Sequence, residues 1–115
     1  MINMYGITNC DTIKKARAWL DQHQIDYQFI DYRKDGLSSE LLATFSQQLG
    51  WQNLLNTRGT TYRALPAESK ANLTEQTALA LMLQQPAMIK RPLLQVKDTY
   101  ILGFNAEHYQ KLLEE

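Results

Sequence analysis

Apolar and polar positions alternate in short blocks along the chain, and each block carries its own period. Residues 2–6 place Ile2, Met4 and Tyr5 in a brief apolar segment that closes on Gly6, which predicts a strand. Residues 11–23 space Ile13, Ala16 and Leu20 at helical intervals with Trp19 alongside. Residues 25–31 set Ile25, Tyr27 and Phe29 against Asp26 and Gln28, a strand with one apolar face. Asp35-Gly36 marks a turn. Ser38 or Ser39 then caps a second helix that turns Leu41, Leu42, Phe45 and Leu49 inward and stops at Gly50.

The middle of the chain has a weaker rhythm. Residues 54–63 are polar apart from a leucine pair and read as a loop between short helical turns. Pro66 and Glu68 open a short helix over 66–72. Thr74, with Gln76 and Thr77, opens a better one bearing Ala78, Leu81 and Met82, which Pro86 interrupts. Residues 93–96 and 99–103 are apolar runs split by Lys97-Asp98, the pattern of a β-hairpin. Asn105 caps a final helix carrying Tyr109, Leu112 and Leu113.

The order is therefore β-α-β-α, a helical insert over about 51–88, then β-β-α. The first two strands are joined through a helix and pair in parallel; the last two pair antiparallel through a tight turn. An α/β thioredoxin-like fold follows, a mixed four-stranded sheet flanked by helices, as a single domain over residues 1–115. There is no internal repeat, low-complexity tract or linker.

Charge narrows the function. Twelve Lys and Arg balance twelve Asp and Glu, so no basic excess drives direct nucleic-acid binding. No apolar run is long enough to span a bilayer, and no basic and apolar leader of the secretory kind opens the sequence. The single cysteine cannot form an internal disulfide, which points to a reducing cytoplasm.

That cysteine, Cys10, lies where the first strand gives way to the first helix. Its neighbours Thr8, Asn9, Asp11 and Thr12 are polar, so the segment is not core. A free cysteine is often only a small buried hydrophobe. Here the helix start offers unpaired N–H groups and the positive end of a dipole, and both stabilise a thiolate, the nucleophilic form.

Spacing removes several mechanisms. A dithiol Cys-x-x-Cys pair needs a thiol at position 13, which is Ile13. A phosphatase loop needs Cys-x5-Arg, and position 16 is Ala16, with Arg17 one step beyond. Two distant histidines and one cysteine do not make a zinc site. His23 lies thirteen residues along the first helix, roughly 20 Å away at 1.5 Å per residue. His108 sits on the last helix, and both histidines read as structural or surface residues. Activation then falls to the helix terminus and nearby cations. Arg91, just before Pro92 and a strand, is the foremost candidate; Pro92 could be cis, though spacing alone reads this as a loop proline beside a solvated arginine. Arg58 and Arg63 are exposed charges or an anion clamp, and Lys14 lies one turn below Cys10.

Four segments taken in order carry a resemblance: Tyr5-Gly6-Ile7-Thr8-Asn9-Cys10-Asp11-Thr12-Ile13-Lys14-Lys15-Ala16, Leu54-Leu55-Asn56-Thr57-Arg58-Gly59, Lys90-Arg91-Pro92-Leu93 and Leu102-Gly103-Phe104. Over nearly its whole length the chain resembles the glutaredoxin-coupled arsenate reductase (ArsC) family, in its branch of YffB-like proteins and Spx-type regulators. The resemblance implies a thioredoxin fold with a helical insert, a cis-proline at Pro92, Cys10 as nucleophile and Arg91 beside it. Asn9, Lys14, Arg58 and Pro92 are expected on the substrate side, with no metal and no bound cofactor. Glutathione is the implied co-substrate and glutaredoxin a further partner, with the protein itself monomeric.

Two departures shape the expected substrate. In arsenate reductases of this kind an oxyanion-binding arginine directly follows the leucine pair; here Asn56 stands there and Arg58 comes two later. Another arginine follows the last strand, where this chain has Phe104. Each lost charged hydrogen bond is worth roughly 1.5–3 kcal/mol, so a multiply charged oxyanion should bind more weakly. The expectation is a glutathione-dependent thiol reductase. The alternatives are a glutaredoxin-coupled arsenate reductase and an Spx-like regulator that binds RNA polymerase.

Overall fold

The structure is a computed structural model, and it describes residues 2–8 and 10–114. The elements run β1 (Ile2–Gly6), α1 (Asp11–Gln22), β2 (Gln28–Asp31), α2 (Ser39–Leu49), α3 (Trp51–Leu54), α4 (Thr60–Arg63), α5 (Ala67–Ala71), α6 (Glu75–Gln84), a single 3-10 turn (Pro86–Met88), β3 (Leu93–Val96), β4 (Thr99–Leu102) and α7 (Ala106–Glu114). Two compact units divide them: residues 1–35 with 91–115, and residues 36–90.

The first unit holds the whole sheet, in the order β2-β1-β3-β4. β1 pairs in parallel with β2, with Met4 opposite Phe29 and Gly6 opposite Asp31. It pairs antiparallel with β3, and β3 with β4. This mixed four-stranded sheet with its helices is the thioredoxin-like arrangement that the element order predicts. One sheet face presents Met4 and Leu94, both fully buried with Ala16 and Leu20 of α1 and Tyr109 of α7. Ile2, Phe29, Val96 and Ile101 pack around that cluster. The Tyr109 ring stands edge-on to both Trp19 and Phe104, and its hydroxyl donates to the Gly103 carbonyl at 3.2 Å. The opposite face carries a polar pair: Asn3 and the Tyr5 hydroxyl both donate to Gln95 Oε1, at 3.2 and 3.1 Å.

β2 begins at Gln28, three residues later than the alternation predicts. The cause is the end of α1. Gln24 takes a left-handed conformation (φ 55°), and the Ile25 amide still donates to Leu20 O at 3.0 Å. Ile25 therefore reaches the core from a helix cap rather than from a strand.

In the second unit, Ser38 caps α2 by accepting from the Leu41 amide at 3.1 Å, and Gly50 ends that helix with φ 87°. Gly50 also opens α3, and the segment read as loop contains α4. α4 has no buried residue, so it leaves no apolar period to detect. The Leu55 and Ile89 backbones form an antiparallel bridge, flanked by Asn56 N–H donating to Met88 O and Lys90 N–H to Leu54 O, both at 2.7 Å.

Candidate active site

Cys10 occupies the N-cap of α1 in an extended conformation (φ −110°, ψ 129°), and its carbonyl accepts the first helical hydrogen bond from Lys14 N–H at 3.0 Å. The thiol is half-buried. It forms no close capping hydrogen bond of the kind an oxygen would make. The amides of Thr12 and Ile13 nevertheless face the sulfur as weak donors. Burial pushes the thiol up; the Ile13 amide, a hydrogen bond from Arg91, the Thr12 amide and the Arg91 charge together outweigh it. The net result is a thiol held below its ordinary value, with the thiolate favoured.

The structure thus brings Arg91 to Cys10. Two features allow it. Gly6 ends β1, and a Cβ there would overlap Ile13 Cδ1 and come within 3.7 Å of Arg91 Cβ. A side chain at position 6 would make the buried Ile13 side chain shift, while Arg91 Cβ would lie at ordinary contact distance. Pro92 follows in a cis peptide bond with Arg91, and its carbonyl accepts from the Gly103 amide at 2.8 Å. Gly103 has φ 80°, a conformation that glycine adopts without strain.

The other residues on the substrate side are placed as follows. Lys14 is exposed, one turn along α1 from Cys10. Arg58 belongs to the second unit, exposed in a turn where its amide donates to Asn56 Oδ1 at 3.2 Å. Asn9 lies outside the described residues. His23 is at the far end of α1, stacked on Trp19 with ring centroids 4.0 Å apart, and its Nδ1 is 2.8 Å from Trp19 O. His108 is exposed on α7. Among the described residues no group of three or more His, Cys, Asp or Glu could hold a metal ion. Among them, too, no helix is long and apolar enough to cross a membrane.

One residue near the site escapes sequence reasoning. Asp31 closes β2 and is only 4% exposed. Its Oδ1 accepts from the Arg33 and Lys34 amides at 2.7 and 3.2 Å. Burial pushes the carboxyl up, and the amides of Arg33, Lys34 and Thr8, with the Lys34 charge, bring it below the usual range. The available signal was an aspartate at a strand end, a residue that often ties its own turn.

A thiol at a helix start, beside an arginine and a cis-proline on a four-stranded mixed sheet, defines a thioredoxin-like protein with a single-cysteine site. The chain belongs to the ArsC family, whose model matches residues 5–112. A solved YFFB protein is 45% identical, with a TM-score of 0.93, over 98% of this chain and 99% of its own. An arsenate reductase (ArsC) related protein from Brucella melitensis is also 45% identical, with a TM-score of 0.81, over 99% of this chain and 95% of its own. The global transcriptional regulator Spx 2 of Bacillus cereus is 27% identical over 98% of this chain and 87% of its length.

Proposed function

We propose that this protein is a glutathione-dependent thiol reductase. The observation that carries this reading is the Cys10 thiol, lowered by the α1 amides and by Arg91. The Cys10 thiolate attacks one sulfur of a disulfide R–S–S–R′, forming Cys10–S–S–R and releasing R′–S⁻. No second thiol is present in the chain to resolve that adduct. Glutathione thiolate then attacks the R sulfur of that adduct, forming the mixed disulfide R–S–S–glutathione as the S–S bond to Cys10 breaks and the Cys10 thiolate leaves. When R is itself glutathionyl, the product is oxidised glutathione.

In this reading Arg91 stabilises the thiolate in both its attacking and its leaving roles. Lys14 holds a substrate carboxylate, and the backbone at Pro92 pairs with an extended peptide such as glutathione. Glutaredoxin is the protein partner that would recycle the adduct, and no bound cofactor takes part.

The likeness to Spx 2 supports a second reading, a regulator that docks on a protein partner, with Cys10 as its sensor. The family as a whole supports a third, arsenate reduction with Arg58 serving in place of the arginine that Asn56 replaces. Intact mass after exposure to oxidised glutathione separates the first reading from the second. The reductase gains one glutathione on Cys10 and releases it to reduced glutathione with turnover; a thiol that forms no adduct overturns it. Steady-state assays with arsenate set against glutathionylated peptide separate the first from the third.

A further inference from the structure

We propose that Arg17 is a substrate-recognition residue: it holds a carboxylate of the disulfide that Cys10 attacks, further along the same flank of α1. The inference rests on the reading of this protein as a thiol reductase, and it names the class of substrate which that reading leaves open, an acidic one.

The argument begins with how firmly Arg17 is held. It is half-buried, and its Nε donates to the Tyr27 hydroxyl at 3.0 Å. Its guanidinium carbon lies 4.4 Å from the centroid of the Phe29 ring and 5.8 Å from that of Tyr27. Both rings pack against the core cluster, so the platform under the guanidinium is fixed. An arginine carries its N–H donors in a rigid, planar fork that always bears charge. Here Tyr27 occupies only the Nε donor. Among the described residues, the Nη groups have no acceptor and no carboxylate pairs with them. A guanidinium whose stem is anchored and whose fork is open is suited to grip a carboxylate through parallel N–H···O bonds.

Helix stability does not account for this charge. Lys14 lies close to the positive N-terminal end of α1, where a cation is disfavoured. Lys14 and Arg17 are three residues apart, hence neighbours on the helix surface, and a like-charge pair at that spacing weakens a helix. Asp21, one turn beyond Arg17, is placed to offset it, yet Arg17 turns to Tyr27 and Phe29 instead. A ligand of opposite charge explains what the helix alone does not.

Position relates this fork to the chemistry. Residues 10, 14 and 17 repeat at the four- and three-residue spacing that places side chains on one flank of a helix. At 1.5 Å per residue, Cys10 and Arg17 are about 10 Å apart along the axis. An extended peptide covers that span in roughly three residues. The carboxylate therefore belongs to a residue near the reacting cysteine and not to that cysteine itself. Glutathione and an acidic side chain flanking the substrate cysteine both supply it.

The rival role is packing. An arginine also covers apolar rings with its stem, and removing it then costs stability without changing which disulfide is preferred.

The test is turnover of matched mixed disulfides by the full-length protein with reduced glutathione. One pair is a glutathionylated peptide with aspartates flanking its cysteine, and the same peptide with asparagines. The second pair is the asparagine peptide in mixed disulfide with glutathione, and with mercaptoethanol. Wild type should prefer the acidic member of at least one pair by roughly three- to tenfold in kcat/KM, carried by KM, and added salt should shrink that preference. A preference in the first pair assigns the carboxylate to the peptide, and one in the second assigns it to glutathione. Arg17→Met keeps the stem without the charge and should lose most of the preference; Arg17→Gln takes its place should Arg17→Met not fold. Lys15→Met removes a cation from a different flank of α1 and should keep it. Iodoacetamide alkylation of Cys10 across pH, followed by intact mass, should keep its midpoint in Arg17→Met, because Arg17 is not among the groups that act on the thiol. Equal rates within both pairs in wild type, a preference that salt leaves unchanged, one that survives in Arg17→Met or one lost equally in Lys15→Met overturns the proposal. So does an alkylation midpoint that moves in Arg17→Met, which would place Arg17 on the thiol instead of the substrate. A wild type that turns over none of the disulfides overturns the reductase reading itself, and this inference with it.

Discussion

Two helix starts in this molecule have nearly the same backbone and opposite uses. Thr74 caps α6 from an extended conformation (φ −123°, ψ 173°), and Cys10 caps α1 from another (φ −110°, ψ 129°). At α6 the cap satisfies donors. Thr74 Oγ1 accepts from the Thr77 amide at 3.2 Å, and Thr77 Oγ1 accepts from the Thr74 amide at 2.9 Å. At α1 a sulfur takes the place of the hydroxyl oxygen and makes no close capping bond. The amides it leaves under-satisfied act instead on the thiol's protonation. The same four orphan N–H groups thus serve stability in one helix and reactivity in the other.

Exchanging sulfur for oxygen tests that contrast most severely. Cys10→Ser should abolish the glutathione adduct completely, since no other thiol exists in the chain. It should also make the protein more stable, by about 0.5–1 kcal/mol, because serine is among the preferred N-caps. Mass spectrometry reads the first effect and the urea midpoint the second. A serine variant that is less stable than wild type would mean that Cys10 is held by packing, and the contrast between the two helix starts would fail.

Arg91→Ala gives the next largest effect. The wild-type alkylation midpoint should lie below the ordinary thiol value, and without Arg91 it should move up. The sign also appears in stability. A thiol whose folded pKa is depressed contributes stability above its unfolded pKa, and that contribution is lost as pH falls through the folded pKa. Wild type should therefore gain more stability than Arg91→Ala as pH rises through the thiol range. Parallel stability curves for the two proteins would place Arg91 outside the site.

Gly6 joins the two ends of the corner that holds Arg91. Gly6→Ala forces the buried Ile13 side chain to move, a strain typical of overpacking at about 1–3 kcal/mol. It should lower the unfolding midpoint and raise the alkylation midpoint together. A loss of stability with an unchanged thiol would show that Ile13 shifts without disturbing Arg91.

How much of this could be read in the sequence depends on the range of the interactions. Cys10 was legible because its meaning is local: a thiol between a strand pattern and a helix pattern. The caps at Ser38, Thr74 and Asn105 were legible for the same reason, since each acts within one turn. Arg91 was the foremost cation candidate in the sequence, but its place beside Cys10 came only through the resemblance, because nothing in residues 89–94 says what they face. The bridge between Leu55 and Ile89 was not legible at all. It joins backbone atoms far apart in sequence, and backbone amides leave no mark on residue identity. Ile25 misled because an apolar residue in a helix cap and one in a strand look alike when both face the core.

The smallest effect lies at the other helix start, and it completes the comparison. Thr74→Ala removes the acceptor for the Thr77 amide and should cost about 1 kcal/mol of unfolding free energy. Thr77→Ala removes the reciprocal acceptor, leaving the Thr74 amide to water. The two hydroxyls also lie 3.2 Å apart, so their losses should not add: the double variant should be less destabilised than the sum of the singles. None of the three should change the alkylation midpoint of Cys10, since neither threonine is among the groups that act on the thiol. A shift in that midpoint would show that the α6 cap reaches the thiol, and the two helix starts could no longer be treated as independent.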